Sequence, residues 1–376
     1  MPSKFSSLDN PAWFNLRIAV RSGWQQIQAG LRPRGSARSG VTDIFLCLVD
    51  HYEPQVGQPE QSIARERVED WLERYPAIAA RHRDADGHVP AHSFFYPYDE
   101  YDQWELDHIA ELCAAGYGEV EVHLHHRDDT EETLRQKLRG AVQTFSSHGL
   151  LSCWPDGRPA WGFIHGNWAL ANSRSDGNRN YCGVNNEIAL LQQEGCYADF
   201  TFPAWTHMAQ PRTTNCIYYA ASDATRPKSY DTGSRARVGM TAQPGLLLIQ
   251  GPLVPFAART GARPRLAMDD SDIASYRRYH PSRLDRWVRA GIHVQGRPDR
   301  VFIKLHSHGA ANANRAAMLG GDLEWLFTDA EARYNDGTRY RLHYVTAREM
   351  FNIVKATEAG IEEIEPARDW VIRPPH

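Results

Sequence analysis

The stretch Asp43–Pro54, DIFLCLVDHYEP, decides the class of fold. Its first seven residues are apolar apart from Asp43, which is typical of a strand buried on both faces in a parallel sheet or barrel. Polar residues follow at once, beginning with Asp50 and His51. In α/β barrels the side chains that carry the chemistry lie at the carboxyl ends of such strands. We therefore predict a buried parallel strand that ends in a functional site.

The same order of apolar strand, polar end and helix recurs along the chain. Further strands are predicted near 91–96, 118–125, 161–164, 199–202, 245–250, 301–305 and 343–345. Helices are predicted within 61–80, broken or kinked near Pro76, and over 103–115, 185–194 and 347–359. The segments 173–185 and 204–243 are predicted to be a loop and a long irregular excursion. This recurrence favours a single α/β barrel over two domains.

The composition is that of a chain with a large core. Of its 376 residues, 42 % are hydrophobic, which excludes global disorder. A formal charge of −4 argues against a dedicated nucleic-acid binder. The longest apolar run, Ile44–Val49, is too short to cross a bilayer, and the first thirty residues lack a secretory signal. The six cysteines form no CxxC pair and are predicted to be reduced thiols. We therefore expect a soluble, cytoplasmic protein.

Residues 1–40 are predicted to form a basic arm, separate from one domain over 41–376. The arm holds six basic residues and one acidic residue. Its apolar residues recur at helical spacing and form one stripe: Trp13, Leu16, Val20, Trp24, Ile27 and Leu31. We expect this stripe to pack against the main domain, as most amphipathic helices do. The alternative is peripheral contact of residues 11–34 with an anionic membrane surface at the inner face of the membrane.

Three groups of histidines follow predicted strands. The groups are His51 beside Asp50, then His123, His125 and His126, and finally His306 and His308. His123 and His125 are two residues apart, so they share one face of a strand. Neutral imidazole and carboxylate are ligands of zinc, and a catalytic zinc ion needs about three protein ligands. Single histidines are more often structural, but three groups at strand ends favour one divalent ion, with zinc as the first choice. The predicted convergent set is Asp50, His51, His123 and His125.

A histidine beside such an ion can protonate a leaving group, and His306 or His308 is predicted to do so. Cysteine-dependent catalysis is not favoured, because Cys182 lies in a predicted loop without an evident partner. A GxSxG nucleophile elbow and a glycine-rich phosphate loop are both missing from the sequence.

Four segments resemble the polysaccharide deacetylase family, the NodB-like carbohydrate esterases. The strand 45–49 with Asp50 and His51 resembles the family's opening Thr-Phe-Asp-Asp strand, and 115–123 (AGYGEVEVH) resembles its segment of glycine, acid and histidine. Residues 187–202 resemble its helix and following strand, and Ile303–His306 resembles its late Leu-x-His strand. The resemblance covers about residues 43–355. It implies a distorted (β/α) barrel, here with an N-terminal helical arm and long loop insertions.

The family's Asp-His-His metal site implies roles for individual residues. Asp50 takes the place of the general base or of a further ligand, and His306 that of the general acid. The places of the metal ligands fall to His51, His123 and one of His125 and His126.

The chain also departs from the family pattern. His51 replaces the second Asp of the opening motif, and Arg127 stands where the second histidine is usual. His165–Asn167 (HGN) stands in place of the Arg-Pro-Pro-Tyr motif.

The resemblance implies a metal-dependent hydrolase that removes an N-acyl group, acetyl or formyl, from an amino sugar. The substrate would be a nucleotide- or lipid-linked sugar or glycan in surface-polysaccharide (O-antigen-like) biosynthesis. Four residues near predicted loop ends are candidates for substrate binding: His165, Asn167, Trp168 and Trp205. Two other functions stay open. One is an amidohydrolase-like metal enzyme acting on a small cyclic amide, and the other is a non-catalytic glycan-binding protein on an altered deacetylase fold.

Overall fold

The computed structural model describes residues 15–23, 40–176, 179–240, 243–260 and 263–375, and its centre is a mostly parallel β-sheet covered by helices. The strands are β1 (Thr42–His51), β2 (His92–Pro97), β3 (Gly118–Leu124), β4 (Ser152–Cys153), β5 (Pro159–His165), β6 (Cys196–Asp199), β7 (Ile217–Ala220), β8 (Gly233–Arg235), β9 (Leu246–Ile249), β10 (Val254–Thr260), β11 (Arg263–Asp269), β12 (Asp272–Ile273), β13 (Arg300–Ser307) and β14 (Tyr340–Tyr344). The helices are α1 (15–23), α2 (Gln61–Ala79), α3 (Gln103–Ala114), α4 (Glu131–Ser147), α5 (Glu187–Gln193), α6 (Pro281–Ala290), α7 (Asn312–Ala317), α8 (Leu323–Tyr334) and α9 (Ala347–Glu358).

Strand β1 lies at the centre of the parallel part of the sheet. On one side it pairs with β13, and on the other its first half pairs with β14 and its last residues pair with β2. The parallel order continues through β2, β3, β5, β6 and β9, while β4, β7 and β8 run antiparallel to their neighbours. The carboxyl ends of β1, β2, β3, β5 and β13 therefore open at the same edge. The predicted α/β class and parallel sheet are confirmed. Among the described strands, the hydrogen-bonded order runs from β12 to β8 without closing into a ring.

Both faces of β1 are buried, as predicted. Phe45, Cys47 and Val49 belong to one apolar cluster, which also contains residues of β2, β5, β6, β9 and β13. The alternate residues, Leu46 and Leu48 among them, belong to a second cluster beneath α2, α3 and α4. Because successive side chains of a strand point to opposite faces, His51 continues the first set and Asp50 the second.

The predicted break of the helix near Pro76 is wrong. Helix α2 runs without interruption from Gln61 to Ala79, and the N–H of Ala80 donates to the carbonyl of Pro76. Its buried residues, including Val68, Trp71 and Tyr75, recur at spacings of three and four and pack under the sheet. This burial outweighs the backbone hydrogen bond that proline cannot make.

The predicted irregular excursion contains regular structure. Strands β7 and β8 lie within 204–243, and β7 pairs with both β8 and β9. Just beyond it, β10 and β11 form an antiparallel hairpin that the sequence analysis did not predict. Helix α4 begins with a capping box, in which the Thr130 side chain accepts from the N–H of Thr133.

The described part of the arm's apolar stripe does not pack as expected. In α1 the buried residues are Ile18, Ala19 and Ser22, and the first two form a small cluster with Leu253 and Met268. Two members of the predicted stripe face outward, with Leu16 57 % and Val20 63 % exposed. The other four, Trp13, Trp24, Ile27 and Leu31, lie outside the described residues. Across the described part of the chain, every helix is too short or too polar to cross a bilayer.

Candidate metal centre

The carboxylate of Glu53 joins the ends of β1 and β3. Its Oε1 accepts a hydrogen bond from Nε2 of His125 at 2.9 Å and lies 3.1 Å from Nε2 of His123. One ligand atom from each of His51, Glu53 and His123 lies within 4.8 Å of the other two. These residues have the composition and spacing of a His₂Glu metal site, the set found in several zinc hydrolases.

The two histidines at the end of β13 approach the same place. His308 stacks on His51 with ring centroids 4.5 Å apart, and the centroid of His306 lies 6.5 Å from that of His51. The ring of Trp168 meets both His51 and His308 edge-on, at 6.3 and 6.2 Å. Five of the six predicted metal or catalytic histidines therefore converge, as the strand-end argument expected: His51, His123, His125, His306 and His308.

The histidines of β3 are held so that one ring nitrogen faces the centre. Nδ1 of His123 lies 3.0 Å from the carbonyl of Ile164, and Nδ1 of His125 lies 3.1 Å from a carboxylate oxygen of Asp99. We assign the Nδ1 proton as the donor in both contacts, because both partners are acceptors. Nε2 of each ring is then directed at Glu53. Metal-binding histidines are typically oriented by such outer hydrogen bonds.

The charges at the centre favour a bound cation. Burial lowers the pKa of His51 and of His123, so both rings are neutral near pH 7 and carry a free lone pair. Burial raises the pKa of Glu53, but the neighbouring His123 and His125 lower it by more, well below its usual range. For His125, burial lowers the pKa, while Asp99 and Glu53 raise it by more, to about 10.

Asp50 is not part of this group, although it was predicted as base or ligand. Its carboxylate points to the opposite face of β1, is fully buried, and accepts from Nε2 of His92 at 3.0 Å. It also accepts from the hydroxyl of Ser307 at 2.8 Å and from the N–H of Gly309 at 2.6 Å. Asp50 therefore anchors the end of β13, and with it the loop that carries His308.

The close packing around Asp50 explains the glycine that follows His308. A Cβ atom at Gly309 would lie 2.2 Å from Oδ2 of Asp50 and 2.7 Å from the ring of Trp71. Trp71 in turn donates from its indole N–H to the carbonyl of Gly309. The requirement for glycine here is steric.

His126 and His165 lie in a second group, with Cys182 and Glu187, and all four residues are buried. His126 was predicted to be a ligand of the first centre, and His165 was predicted to bind substrate. The geometry instead places both residues in this second group. Asn167 lies next to this second group, and its amide donates to the carbonyl of His126 at 2.8 Å.

Trp205 lies away from the centre as well. It packs against the cluster beneath α1, and it lines a groove with Leu16 and Ala19. Of the four predicted substrate contacts, Trp168 alone borders the histidines of the first centre.

The first centre is open on one side. The side chains of His125 and Asp99 are 24 % and 29 % exposed to solvent, while those of His51 and His123 are buried. Trp168 borders this side and has a left-handed backbone, φ 51°, which bulky residues adopt at a cost of about 1–3 kcal/mol. A separate surface cleft, of about 700 Å³, lies at the amino end of β3 and contains none of these histidines.

Glu53 is the residue that sequence reasoning missed. It lies two positions after His51, so the same spacing that paired His123 with His125 places it on the face of His51. Comparison of the chain with models of protein families, with curated proteins and with solved structures found no match. The function is therefore argued from this geometry and from the resemblance in sequence.

Proposed function

We propose that the chain is a metal-dependent hydrolase that removes an acetyl or formyl group from the nitrogen of an amino sugar, in the assembly of a surface polysaccharide. The observation that carries the proposal is the convergence of His51, Glu53 and His123 beside an open side bordered by His125, His308 and Trp168. The hydrolase class follows from the ligand set. The amino sugar is suggested by the resemblance to deacetylases and by the exposed side of an indole ring.

The donor set fits zinc. Two neutral imidazoles and a carboxylate would hold the ion, leaving the exposed side for water and substrate. A bound zinc ion supplies Lewis-acid polarisation of an amide carbonyl and a stronger water nucleophile near neutral pH.

The other residues act on the substrate directly. His308 lies on the open side of His51, where its ring can give a proton to the departing sugar nitrogen. His125 is held by Asp99 and Glu53, and its positive charge can stabilise an oxyanion that forms on the acyl group. Trp168 can stack on the sugar ring and position it. Proton transfer of this kind contributes about 10²–10⁴-fold to a rate.

We further propose that the sheet curves into a distorted, incompletely closed barrel. In support, Nζ of Lys304 in β13 donates to the carbonyl of Phe200 after β6 at 2.7 Å, although four strands separate β13 from β6 in the pairing order. The rings of Phe95 and Phe200 are 5.7 Å apart across the same interior.

A cytoplasmic location is part of the proposal, and the six free cysteines are consistent with a reducing compartment. Peripheral membrane contact of residues 11–34 is also part of the proposal, because the side chains of Leu16 and Val20 are exposed to solvent.

The function is tested by metal analysis of the purified chain, followed by acetate- and formate-release assays on nucleotide- and lipid-linked N-acyl amino sugars. We expect zinc-dependent release from at least one of them. Metal without release, combined with glycan binding, would favour the non-catalytic alternative. Hydrolysis of small cyclic amides alone would favour the amidohydrolase-like alternative.

Replacing His308 with glutamine should lower kcat by about 10²–10⁴-fold while zinc stays bound, because the variant loses a proton donor and keeps Glu53 and both imidazole ligands. The measurement is steady-state kinetics with metal analysis of the same sample. His88→Gln, at a half-exposed histidine near the opposite end of the sheet, is the matched control. Unchanged kcat in His308→Gln would contradict the assignment of the donor.

Replacing Trp168 with alanine should raise KM for the sugar substrate by about tenfold and change kcat less, because stacking contributes about 1–3 kcal/mol. Trp325→Ala, at an exposed tryptophan on α8, should leave both constants unchanged. An unaltered KM in Trp168→Ala would show that the indole does not contact the substrate.

A further inference from the structure

Four metal-binding side chains from three segments of the chain meet away from the first centre. They are His126 after β3, His165 at the end of β5, Cys182 in the loop before α5, and Glu187 in the first turn of α5. One ligand atom of each lies within 4.8 Å of the other three. Glu187 links them: its Oε1 lies 2.9 Å from Nε2 of His126 and 3.7 Å from Nε2 of His165, and its Oε2 lies 3.3 Å from Sγ of Cys182. Such separations are those between neighbouring ligands of a tetrahedral ion.

The surroundings orient these atoms toward a common point. Nδ1 of His126 lies 2.9 Å from a carboxylate oxygen of Asp129, which also accepts from Lys137. This carboxylate–histidine contact leaves Nε2 for a ligand, as in many zinc sites. The N–H of Val184 points at Sγ of Cys182 from 3.4 Å, a contact that suits a thiolate.

His165 supplies an independent sign that a ligand is expected. The residue is fully buried, and its Nε2 has no hydrogen-bond partner within the described chain. Buried polar atoms without partners are uncommon, and each indicates a missing water, ion or function. The N–H of Asn167 lies 3.2 Å from Nδ1 of the same ring. As a ligand, the ring would carry its proton on Nδ1 and give up this long hydrogen bond.

We propose that His126, His165, Cys182 and Glu187 bind a second zinc ion whose role is structural. All four are buried, so every position of a tetrahedral ion would be filled by protein, which distinguishes structural from catalytic zinc. The thiolate and imidazole ligands select zinc over harder cations such as magnesium or calcium. The ion would tie the loop over 166–186 to the end of β3, and so hold Trp168 beside the first centre.

The proposal is tested on the full chain by metal analysis and by the spectrum of the cobalt-substituted protein. We expect two equivalents of zinc in the native chain, and in the cobalt form a near-ultraviolet band from thiolate-to-cobalt charge transfer. Cys182→Ser should lose this band and one equivalent of metal. The matched control, Cys196→Ser, changes a cysteine of equal burial and should keep both.

A second variant covers the case in which Cys182→Ser does not fold. Glu187→Gln is nearly isosteric and should weaken zinc binding at this site by at least the 10–100-fold typical of a lost outer-shell partner. His123→Gln should remove the other equivalent and leave the thiolate band intact, so failure of the proposed function is distinguishable from failure of this site. A cobalt form without the thiolate band, or a band that survives Cys182→Ser, would overturn the proposal.

Discussion

His123→Gln is expected to bind one equivalent of zinc less than the native chain and to hydrolyse its substrate at least about 10³-fold more slowly. The ring lost in this variant supplies one of the two imidazoles beside Glu53, and a catalytic metal contributes several kcal/mol to transition-state stabilisation. Metal analysis and acetate- or formate-release kinetics on the same preparation measure both effects.

Glutamine is chosen over alanine because it fills most of the volume of the ring and its amide can donate to the buried Glu53. Thermal unfolding of His123→Gln verifies that the fold persists, and His88→Gln again serves as control. Full metal content and native kinetics in His123→Gln would remove this residue from the centre, and with it the main support for a hydrolase.

Asp50→Ala is expected to destabilise the fold by about 3–5 kcal/mol, because it leaves the buried donors of His92, Ser307 and Gly309 without their acceptor. Asp50→Asn should cost much less, since one amide oxygen can accept from Ser307 and Gly309 while the amide nitrogen faces His92. Denaturant unfolding of both variants measures the difference.

The same pair separates anchoring from catalysis. If Asp50 anchors β13, Asp50→Asn keeps zinc and most of its hydrolytic rate once it is folded. A fall of several orders of magnitude in the rate of Asp50→Asn, with unchanged stability, would restore the role of base or ligand that the resemblance implies.

The sequence predicted only in part which face of the sheet each strand residue occupies. The uninterrupted apolar run Ile44–Val49 predicted a strand buried on both sides, and the two-residue spacing correctly paired His123 with His125. Parity does not tell which face of β1 turns toward the chemistry, so Asp50 and His51 were predicted to act together. In the fold they point to opposite sides of one strand.

Contacts between distant segments were the least predictable feature. Cys182 and Glu187 meet His126 and His165 only because the loop after β5 folds back over the end of β3, and no local spacing in the sequence indicates that path. The buried face of α1 was mispredicted for a related reason. The hairpin of β10 and β11 supplies the cover for Ile18 and Ala19, and that hairpin was not predicted.

Position 309 also bears on how the chain tolerates change. The steric limit at Gly309 acts through Asp50, so a side chain there would disturb the end of β13 without touching Glu53 or His123. Even alanine would have to displace the carboxylate or the indole. In a library of random variants selected for hydrolytic activity, substitutions at 309 should therefore be depleted as strongly as those at the histidines, and the surviving variants should lose activity at high temperature. Gly309, which has no side chain to take part in the reaction, would then be classed with the residues that activity requires.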